Sequence, residues 1–335
     1  IGGTQMGRTT VYNSNLTQAW PSVSKQNRQL VKEFIDYCKA NDRSAQTIKQ
    51  YEAQLKVFFC WNYNENDDKF FIDLKKRDFV RYLGYLRGLG LSSNRVASLK
   101  SAISSLANCI EVLDEDLYPN FRNLIKSLEP VHKAPVREKT VLTDEQVEEC
   151  LSKLLEQNQC QIACALALSL ASGMRKAELT RMKVEFFEEK HLVFDDKMYK
   201  TGIIKTKGHG SSGKQIPKYV LKDKFQPYFD AWMKQREERG IESPWLFVTT
   251  SDGKFVQATV SQMNTYAEKI GALMNVPFYF HCMRHLWTSN MQRAGFPDSV
   301  IAEIQSWESL EMVKRYSDIP TEERLAQFFN GEDKE

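Results

Sequence analysis

The sequence predicts a mainly α-helical protein with two domains: an all-α domain, then an α-rich (α+β) domain carrying a small antiparallel sheet. Three observations support this prediction. The chain has 335 residues, which exceeds the size at which one hydrophobic core stops growing. Apolar residues recur at helical spacing through most of the first 128 residues. Short strand-like runs separated by glycines are confined to residues 192–219.

The first domain is predicted to consist of four amphipathic helices and one short helix. Their apolar residues recur three or four positions apart and form stripes that we interpret as core. Serines precede the fourth helix as candidate N-caps, and glycines end the third. The predicted helices cover residues 22–40, 47–61, 73 or 75 to 87, 93–110 and 121–128.

The boundary between the domains is predicted within residues 130–140. This segment contains two prolines, lacks apolar periodicity and is rich in basic residues, as expected of an extended linker. Lys133 and Arg137 are its candidates for contact with a phosphate backbone. We therefore assign residues 21–129 to the helical domain and 141–335 to the second domain. Residues 1–20 are expected to be disordered or the scar of an expression tag.

The second domain is predicted to begin with a helix capped by Thr143, with Gln146 completing a capping box. An apolar helix over residues 159–172 follows and ends at Gly173. The pattern then changes to strands over residues 192–219, and helices return after them.

The composition indicates an intracellular protein that does not enter a membrane. The longest apolar runs fall short of the ~20 residues that span a bilayer. The seven cysteines are scattered and include no CxxC pair, so neither a disulfide framework nor a zinc finger is predicted.

The charge is distributed unevenly along the chain. Residues 1–133 hold 19 Lys and Arg against 14 Asp and Glu, whereas the remainder holds 27 against 29. An excess of positive charge is what a domain that binds DNA phosphates requires. A basic surface that faces only solvent explains the same excess equally well.

Residues that carry chemistry are concentrated in three places. The first is the segment SGMRKAEL, where Arg175 follows a helix that ends at a glycine; an ion pair with Glu178 on the surface is the plainer interpretation. The second is a lysine-rich hairpin with a glycine-rich turn, which reaches DNA or remains solvated; its candidates are Lys205, Lys207 and Lys214. The third contains His281, Arg284, His285, Trp307 and Tyr316.

This third set resembles the tyrosine recombinase, or phage integrase, family. Arg284, Trp307 and Tyr316 follow His281 by 3, 26 and 35 residues, in the order and spacing of the HxLRH box, the second His or Trp, and the nucleophilic tyrosine. The segment around Arg175 is similar to the family's first arginine box, and the hairpin stands where the family keeps a mobile lysine. Met283 where Leu is usual, Trp307 where His is commoner, and Gln305-Ser306 instead of Leu-Gly are modest departures.

The resemblance implies a core-binding domain and a catalytic domain that close on DNA as a C-shaped clamp. It also implies roles that general chemistry supports. Two arginine forks suit the charge that develops on a phosphorane, Tyr316 is the nucleophile, and His281 is the acid/base partner. Lys207 is favoured over Lys205 as general acid for the leaving 5′ oxygen, and Trp307 donates through its indole NH. Glu178 and His285 support these groups from behind, and neither a metal nor another cofactor is expected.

Two other classes of enzyme share part of this pattern with a recombinase. His281 and His285 have a spacing that can bind zinc, but a third ligand and the catalytic Glu are missing from the pattern. A type IB topoisomerase would use the same catalytic groups without pairing two sites. A helical DNA-binding protein without activity would leave the ordered residues unexplained.

The resemblance further implies double-stranded recombination sites as substrate, a homotetramer on DNA, and accessory DNA-bending or directionality proteins as further partners. The tail supports assembly, because Leu325, Phe328 and Phe329 form an apolar stripe on a helix capped by Thr321. We expect this helix to dock into a neighbouring subunit, although folding back on its own domain is the alternative.

Overall fold

The computed structural model describes residues 14–132, 139–206, 208, 210 and 212–331. Lys133, Arg137 and Lys207 lie outside the described residues. The chain divides into two compact units, of which the second begins at Lys139. The described residues of the first unit are 14–132, 210 and 212, and each unit has its own hydrophobic core.

The first unit is all-α over its described residues. Three of its four helices begin with a serine whose side chain accepts a backbone N–H three residues on. The predicted short helix over 121–128 is wrong, because the segment forms only the 3₁₀ turn Leu124–Ser127, after which the Leu128 N–H donates to the carbonyl of Ile125, three residues back. The helices are α1 (Lys25–Ala40), α2 (Ala45–Glu65), α3 (Lys76–Gly88) and α4 (Ser93–Leu113).

The core of the first unit is built around aromatic rings. The ring of Phe58 lies 5.0–6.0 Å from five others, within the range of favourable ring pairs. Helix α4 is long and apolar enough to cross a membrane by composition alone. Most of its apolar residues are instead buried in this core, which explains the composition; they include Val96, Leu99, Ile103, Leu106 and Ile110.

The second unit packs helices around α6, whose residues are buried on all sides. The predicted capping box at Thr143 and Gln146 is confirmed. Its elements in chain order are α5 (Asp144–Glu156), α6 (Cys160–Ser172), α7 (Lys176–Leu179), β1 (Leu192–Val193), β2 (Met198–Lys200), β3 (Ile204–Thr206), β4 (Lys214–Ile216), β5 (Tyr219–Leu221), α8 (Lys222–Glu238), β6 (Val248–Ser251), β7 (Lys254–Gln257), α9 (Val260–Met274), α10 (Phe280–Arg293), α11 (Asp298–Ile304), α12 (Glu311–Tyr316) and α13 (Thr321–Gly331).

The strands are antiparallel, as predicted, but they form separate small sheets. Strands β1, β2 and β5 make one three-stranded sheet, in that order, and β3 pairs only with β4. The β6–β7 hairpin was missed from the sequence. Its signal was Asp252-Gly253, a pair that favours a two-residue turn, and both residues have positive φ.

Candidate active site

The end of α6 lies against α10 and leads into the segment that contains Arg175. Gly173 adopts the left-handed conformation, with φ +59°, and a Cβ there would lie 2.9 Å from Gln305 Nε2 and from the Trp287 ring. Glycine is therefore required both by the backbone angle and by the space. The carbonyl of Gly173 accepts a hydrogen bond from Arg284 Nη1 at 2.9 Å. The glycine that ends α6 thus anchors an arginine from α10.

Arg175 is held by the short helix that it precedes. Its backbone N–H donates to Glu178 Oε2 at 2.9 Å, and its guanidinium Nη1 donates to Glu178 Oε1 at 3.1 Å. Glu178 is buried, which contradicts the interpretation of this pair as a surface ion pair. Burial alone would raise the pKa of Glu178, but Lys218, Arg175 and Arg284 lower it below its ordinary value.

Arg284 is completely buried, and most of its hydrogen-bonding capacity is unused. Among the described residues, its Nε and Nη2 atoms have no hydrogen-bond partner. Its Cζ atom lies 4.8 Å from the Trp307 ring centroid and 5.4 Å from that of Tyr316. Burial first, and then the charge of Arg175, lower the pKa of Arg284 to about 10. Such a buried, unsatisfied cation is costly unless an anion binds it.

Tyr316 is the last residue of α12, and its side chain lies among the other predicted residues. It is only 6% exposed. Its ring stacks on Trp307 at 4.9 Å with an interplanar angle of 8°. The rings of His281 and His285 lie 5.2 and 4.8 Å from it. The structure therefore brings five predicted residues together: His281, Arg284, His285, Trp307 and Tyr316.

His281 lies in the first turn of α10 and shares a cavity with Arg175. The cavity has a volume of about 370 Å³ and is also lined by Tyr279 and Phe280. Although His281 keeps part of its surface exposed, desolvation of its ring, then the charges of His285 and the nearby arginines, lower its pKa to about 4. The imidazole is consequently neutral at neutral pH and able to accept a proton.

The chain immediately after Tyr316 Cα is fastened to α10 by two hydrogen bonds. His285 Nδ1 lies 3.1 Å from the Tyr316 carbonyl oxygen, to which it donates if the proton is on Nδ1. The N–H of Asp318 donates to Ser289 Oγ at 2.9 Å. Burial would raise the pKa of Asp318, but the nearby His285 ring and a hydrogen bond from Lys139 lower it. These contacts fix the end of α12 and so the origin of the Tyr316 side chain.

The predicted hairpin lysines occupy different positions. Lys214, the first residue of β4, donates to Glu308 Oε1 at 2.6 Å, which ties the hairpin to the residue next to Trp307. Lys205 is exposed in β3, and Arg181 donates to its carbonyl oxygen. Since Lys207 is outside the described residues, the choice between Lys205 and Lys207 stays a prediction.

Two residues of the site were missed from the sequence. Lys218 is 2% exposed and lies 3.5 Å from Glu178 Oε2. It precedes β5 and has the same strand parity as the buried Val220, a signal that it points inward. Asp318 follows Tyr316 by two residues, and its contact with His285 depends on how α10 packs against α12. Within the described part of the chain, no group of three or more His, Cys, Asp or Glu residues is placed to hold a metal ion.

The chain is similar to proteins of a known family. Residues 140–323 match the model of the phage integrase family. The SPbeta prophage-derived recombinase-like protein YomM of Bacillus subtilis is 30% identical over 75% of this chain and 74% of its own. The tyrosine recombinase XerA of Pyrococcus horikoshii is 23% identical over 88% of this chain and 90% of its own.

Solved structures share the fold at low sequence identity. The Tn1549 transposon integrase in complex with circular intermediate DNA has a TM-score of 0.64 at 15% identity, covering 91% of this chain and 99% of that one. A lambda integrase tetramer bound to a Holliday junction has a TM-score of 0.62 at 13% identity, covering 90% and 80%. The family match covers more than half of the chain, so the protein belongs to the phage integrase family of tyrosine recombinases, enzymes that cleave and rejoin DNA.

Proposed function

We propose that this enzyme is a site-specific recombinase that cuts and rejoins DNA through a covalent 3′-phosphotyrosine bond at Tyr316. The observation that carries the proposal is the position of the Tyr316 ring. It is buried against Trp307, over the guanidinium of Arg284 and beside His281. A tyrosine surrounded by a proton acceptor and an unsatisfied buried cation suits attack on a phosphodiester.

In the proposed step, the Tyr316 hydroxyl oxygen attacks phosphorus and the bond to the 5′ oxygen breaks. His281, neutral in the free protein, accepts the phenolic proton, and Lys207 gives a proton to the departing 5′ oxygen. Arg175 and Arg284 hold the nonbridging oxygens, and Trp307 donates its indole NH. Rejoining reverses the step, with the 5′ hydroxyl of another strand as nucleophile. The charges and protons needed come from side chains, so we expect activity in the presence of EDTA.

The burial of this cluster implies a movement before chemistry. The Nε and Nη2 atoms of Arg284, which have no partner in the described part of the chain, are buried, and the Tyr316 and Trp307 rings lie against the guanidinium. A scissile phosphate therefore reaches Arg284 only after at least one of these rings has moved. Since Tyr316 ends α12 just before the tail, α13 is well placed to govern this movement.

Assembly on DNA is the second part of the proposal. Leu325 of α13 is 52% exposed and Phe329 is 65% exposed, which supports docking of this helix against a second subunit. The fold shared with the lambda integrase tetramer supports four subunits on paired sites and strand exchange through a Holliday junction. The enzyme then acts where its DNA sites are, inside the cell. Lys133 and Arg137 in the linker, and Lys205 and Lys214 in the hairpin, are proposed DNA contacts, and accessory proteins remain an expectation.

The test is adduct formation on nicked duplexes made from the DNA that flanks the coding sequence, where recombination sites are expected. The wild type should trap a covalent complex, and Tyr316→Phe should bind the same DNA with nearly unchanged affinity and form none. Tyr82→Phe is the matched control, because it removes a buried hydroxyl that has no partner among the described residues. Adducts formed by Tyr316→Phe would contradict the proposal.

A second assay separates recombination from the topoisomerase alternative. A recombinase should exchange flanks between two plasmid-borne sites, and it should leave a supercoiled plasmid without a site unrelaxed. Relaxation of any supercoiled plasmid, without exchange between paired sites, would favour a type IB topoisomerase.

A further inference from the structure

Lys218 lies at the back of the candidate active site with its backbone fixed on both sides. Its N–H donates to Thr201 Oγ1 at 2.9 Å, and its carbonyl oxygen accepts the Thr201 N–H at 2.8 Å. The next residue begins β5, which pairs with β2. The side chain is 2% exposed and is not part of the lining of the cavity shared by Arg175 and His281. Lys218 therefore acts on the site from behind.

The ammonium of Lys218 faces the carboxylate that holds Arg175. Glu178 Oε2 lies 3.5 Å from Lys218 Nζ and also accepts the backbone N–H of Arg175. The other oxygen, Oε1, accepts from the Arg175 guanidinium. One buried carboxylate thus connects a lysine on the sheet to an arginine at the start of α7. Its orientation decides where the Arg175 fork points.

Stability alone does not account for a lysine at this position. Lysine is almost never fully buried unless it is paired, and an apolar residue of similar volume often replaces a buried ion pair at little cost. Lys218, Arg175 and Arg284 together place three positive charges around one carboxylate. Burial lowers the pKa of Lys218, and the two arginines lower it further, while Glu178 raises it. The cluster keeps Glu178 ionised despite its burial.

We propose that Lys218 is a positioning residue, which holds the Glu178 carboxylate so that Arg175 is aimed at the scissile phosphate. This inference rests on the proposed function, because it assigns Arg175 to the phosphate. Lys218 itself touches neither DNA nor the reacting atoms. Its loss should therefore affect the rate of cleavage and its dependence on pH, and not the affinity for DNA.

The test compares Lys218→Met with the wild type in single-turnover cleavage of saturating nicked half-site DNA. The affinity for the half-site should stay within about twofold. The cleavage rate should fall about tenfold or more, because a misplacement of 1 Å in an active site can cost on the order of 100-fold. Lys153→Met is the matched control, because Lys153 pairs with Glu149 on the exposed face of α5. This variant should cleave DNA at the wild-type rate.

The pH profile distinguishes positioning from a purely structural role. Arg175 and Arg284 remain near Glu178 in Lys218→Met, but the largest charge that lowers its pKa is gone. The pKa of Glu178 should rise, so the acidic limb of the cleavage rate should move to higher pH. His281 is present in both proteins, so the difference between the two profiles reports on Glu178. A variant with the wild-type rate and profile would overturn the inference.

Two further outcomes are informative. If Lys218→Met does not fold, the double variant Glu178→Gln, Lys218→Met removes both charges of the pair and replaces the measurement. It should still cleave about tenfold or more slowly, because a neutral amide holds a guanidinium less firmly than a carboxylate does. Cleavage by this double variant at the wild-type rate would overturn the inference about Lys218 but not the proposed function. Failure of the wild type to form any adduct would instead overturn the proposed function, and this inference with it.

Discussion

Two buried arginines of the second unit are predicted to have opposite effects on cleavage and stability when each is changed to lysine. Arg236 donates to the carbonyl oxygens of Ile241, Ser243, Trp245 and Leu246, so both terminal nitrogens of its guanidinium are used inside the protein. Arg284 makes one such bond, to Gly173, and its Nε and Nη2 have no partner among the described residues. The hydrogen bonds of Arg236 explain its burial, whereas the burial of Arg284 is explained only if a phosphate binds to it.

The expected loss for Arg284→Lys follows from the unused donors. Lysine keeps the charge but not the planar fork, so up to two hydrogen bonds to a charged phosphate are lost. Each is worth about 1.5–3 kcal/mol, or about 3–6 kcal/mol together. At about 1.4 kcal/mol for each factor of ten, the cleavage rate should fall about 10²- to 10⁴-fold. Only one protein hydrogen bond is lost, so the free energy of unfolding should change by about 1 kcal/mol.

Arg236→Lys is the matched control and should show the reverse pattern. Loss of several bonds to carbonyl oxygens should lower the free energy of unfolding by about 2–4 kcal/mol and leave cleavage per folded molecule unchanged. Both variants should be measured by single-turnover cleavage on nicked DNA and by thermal unfolding. An Arg284→Lys protein that cleaves within threefold of the wild type would refute the assignment of Arg284 to the phosphate. Equal losses of cleavage in both variants would refute it as well.

Three more predictions follow from the site and the tail. Trp307→Phe keeps a ring against Tyr316 but loses the indole NH, which has no partner among the described residues, so single-turnover cleavage should fall about tenfold; an unchanged rate would exclude this donor. The pKa of His281 is lowered from 6.5 to about 4, so between these pH values the unfolded chain binds a proton that the folded chain does not. The free energy of unfolding should therefore fall as the pH drops through this window. Thermal unfolding of His281→Asn should depend less on pH there than that of the wild type, and an equal dependence would contradict the lowered pKa. Deletion of residues 321–335 should leave monomer binding to a half-site largely unchanged, remove tetramers on native gels and alter cleavage; a truncated protein that assembles and recombines like the full chain would contradict docking in trans.

The local structure could be predicted wherever a short segment determines it. The cap at Thr143, the end of α6 at Gly173 and the helices of the first unit follow from periodicity and from residues a few positions apart. The 3₁₀ turn at Leu124–Ser127 was predicted as a helix, because apolar spacing over so few residues does not distinguish the two. The separate pairing of β3 with β4 depends on contacts that single strands of three residues do not encode.

The residues at the centre of the candidate site could be predicted from the sequence, but the residues that hold them in place could not. Order and spacing along the chain predicted Arg175, His281, Arg284, Trp307 and Tyr316, and three of these residues lie around the ring of Tyr316. The role of Lys218 was not predictable, since its partner Glu178 is 40 residues away and the two meet only when β5 packs near α7. The same holds for Asp318, which reaches His285 only through the packing of α12 on α10.

The identity of the tyrosine that becomes linked to DNA tests the central proposal most directly. The chain has 13 tyrosines, and mass spectrometry of the trapped complex, after nuclease and protease digestion, identifies the one that carries the nucleotide. We predict a single modified peptide, with the DNA 3′ phosphate on Tyr316. A nucleotide on any other residue, or a 5′ phosphate linkage, would contradict the proposed nucleophile and chemistry.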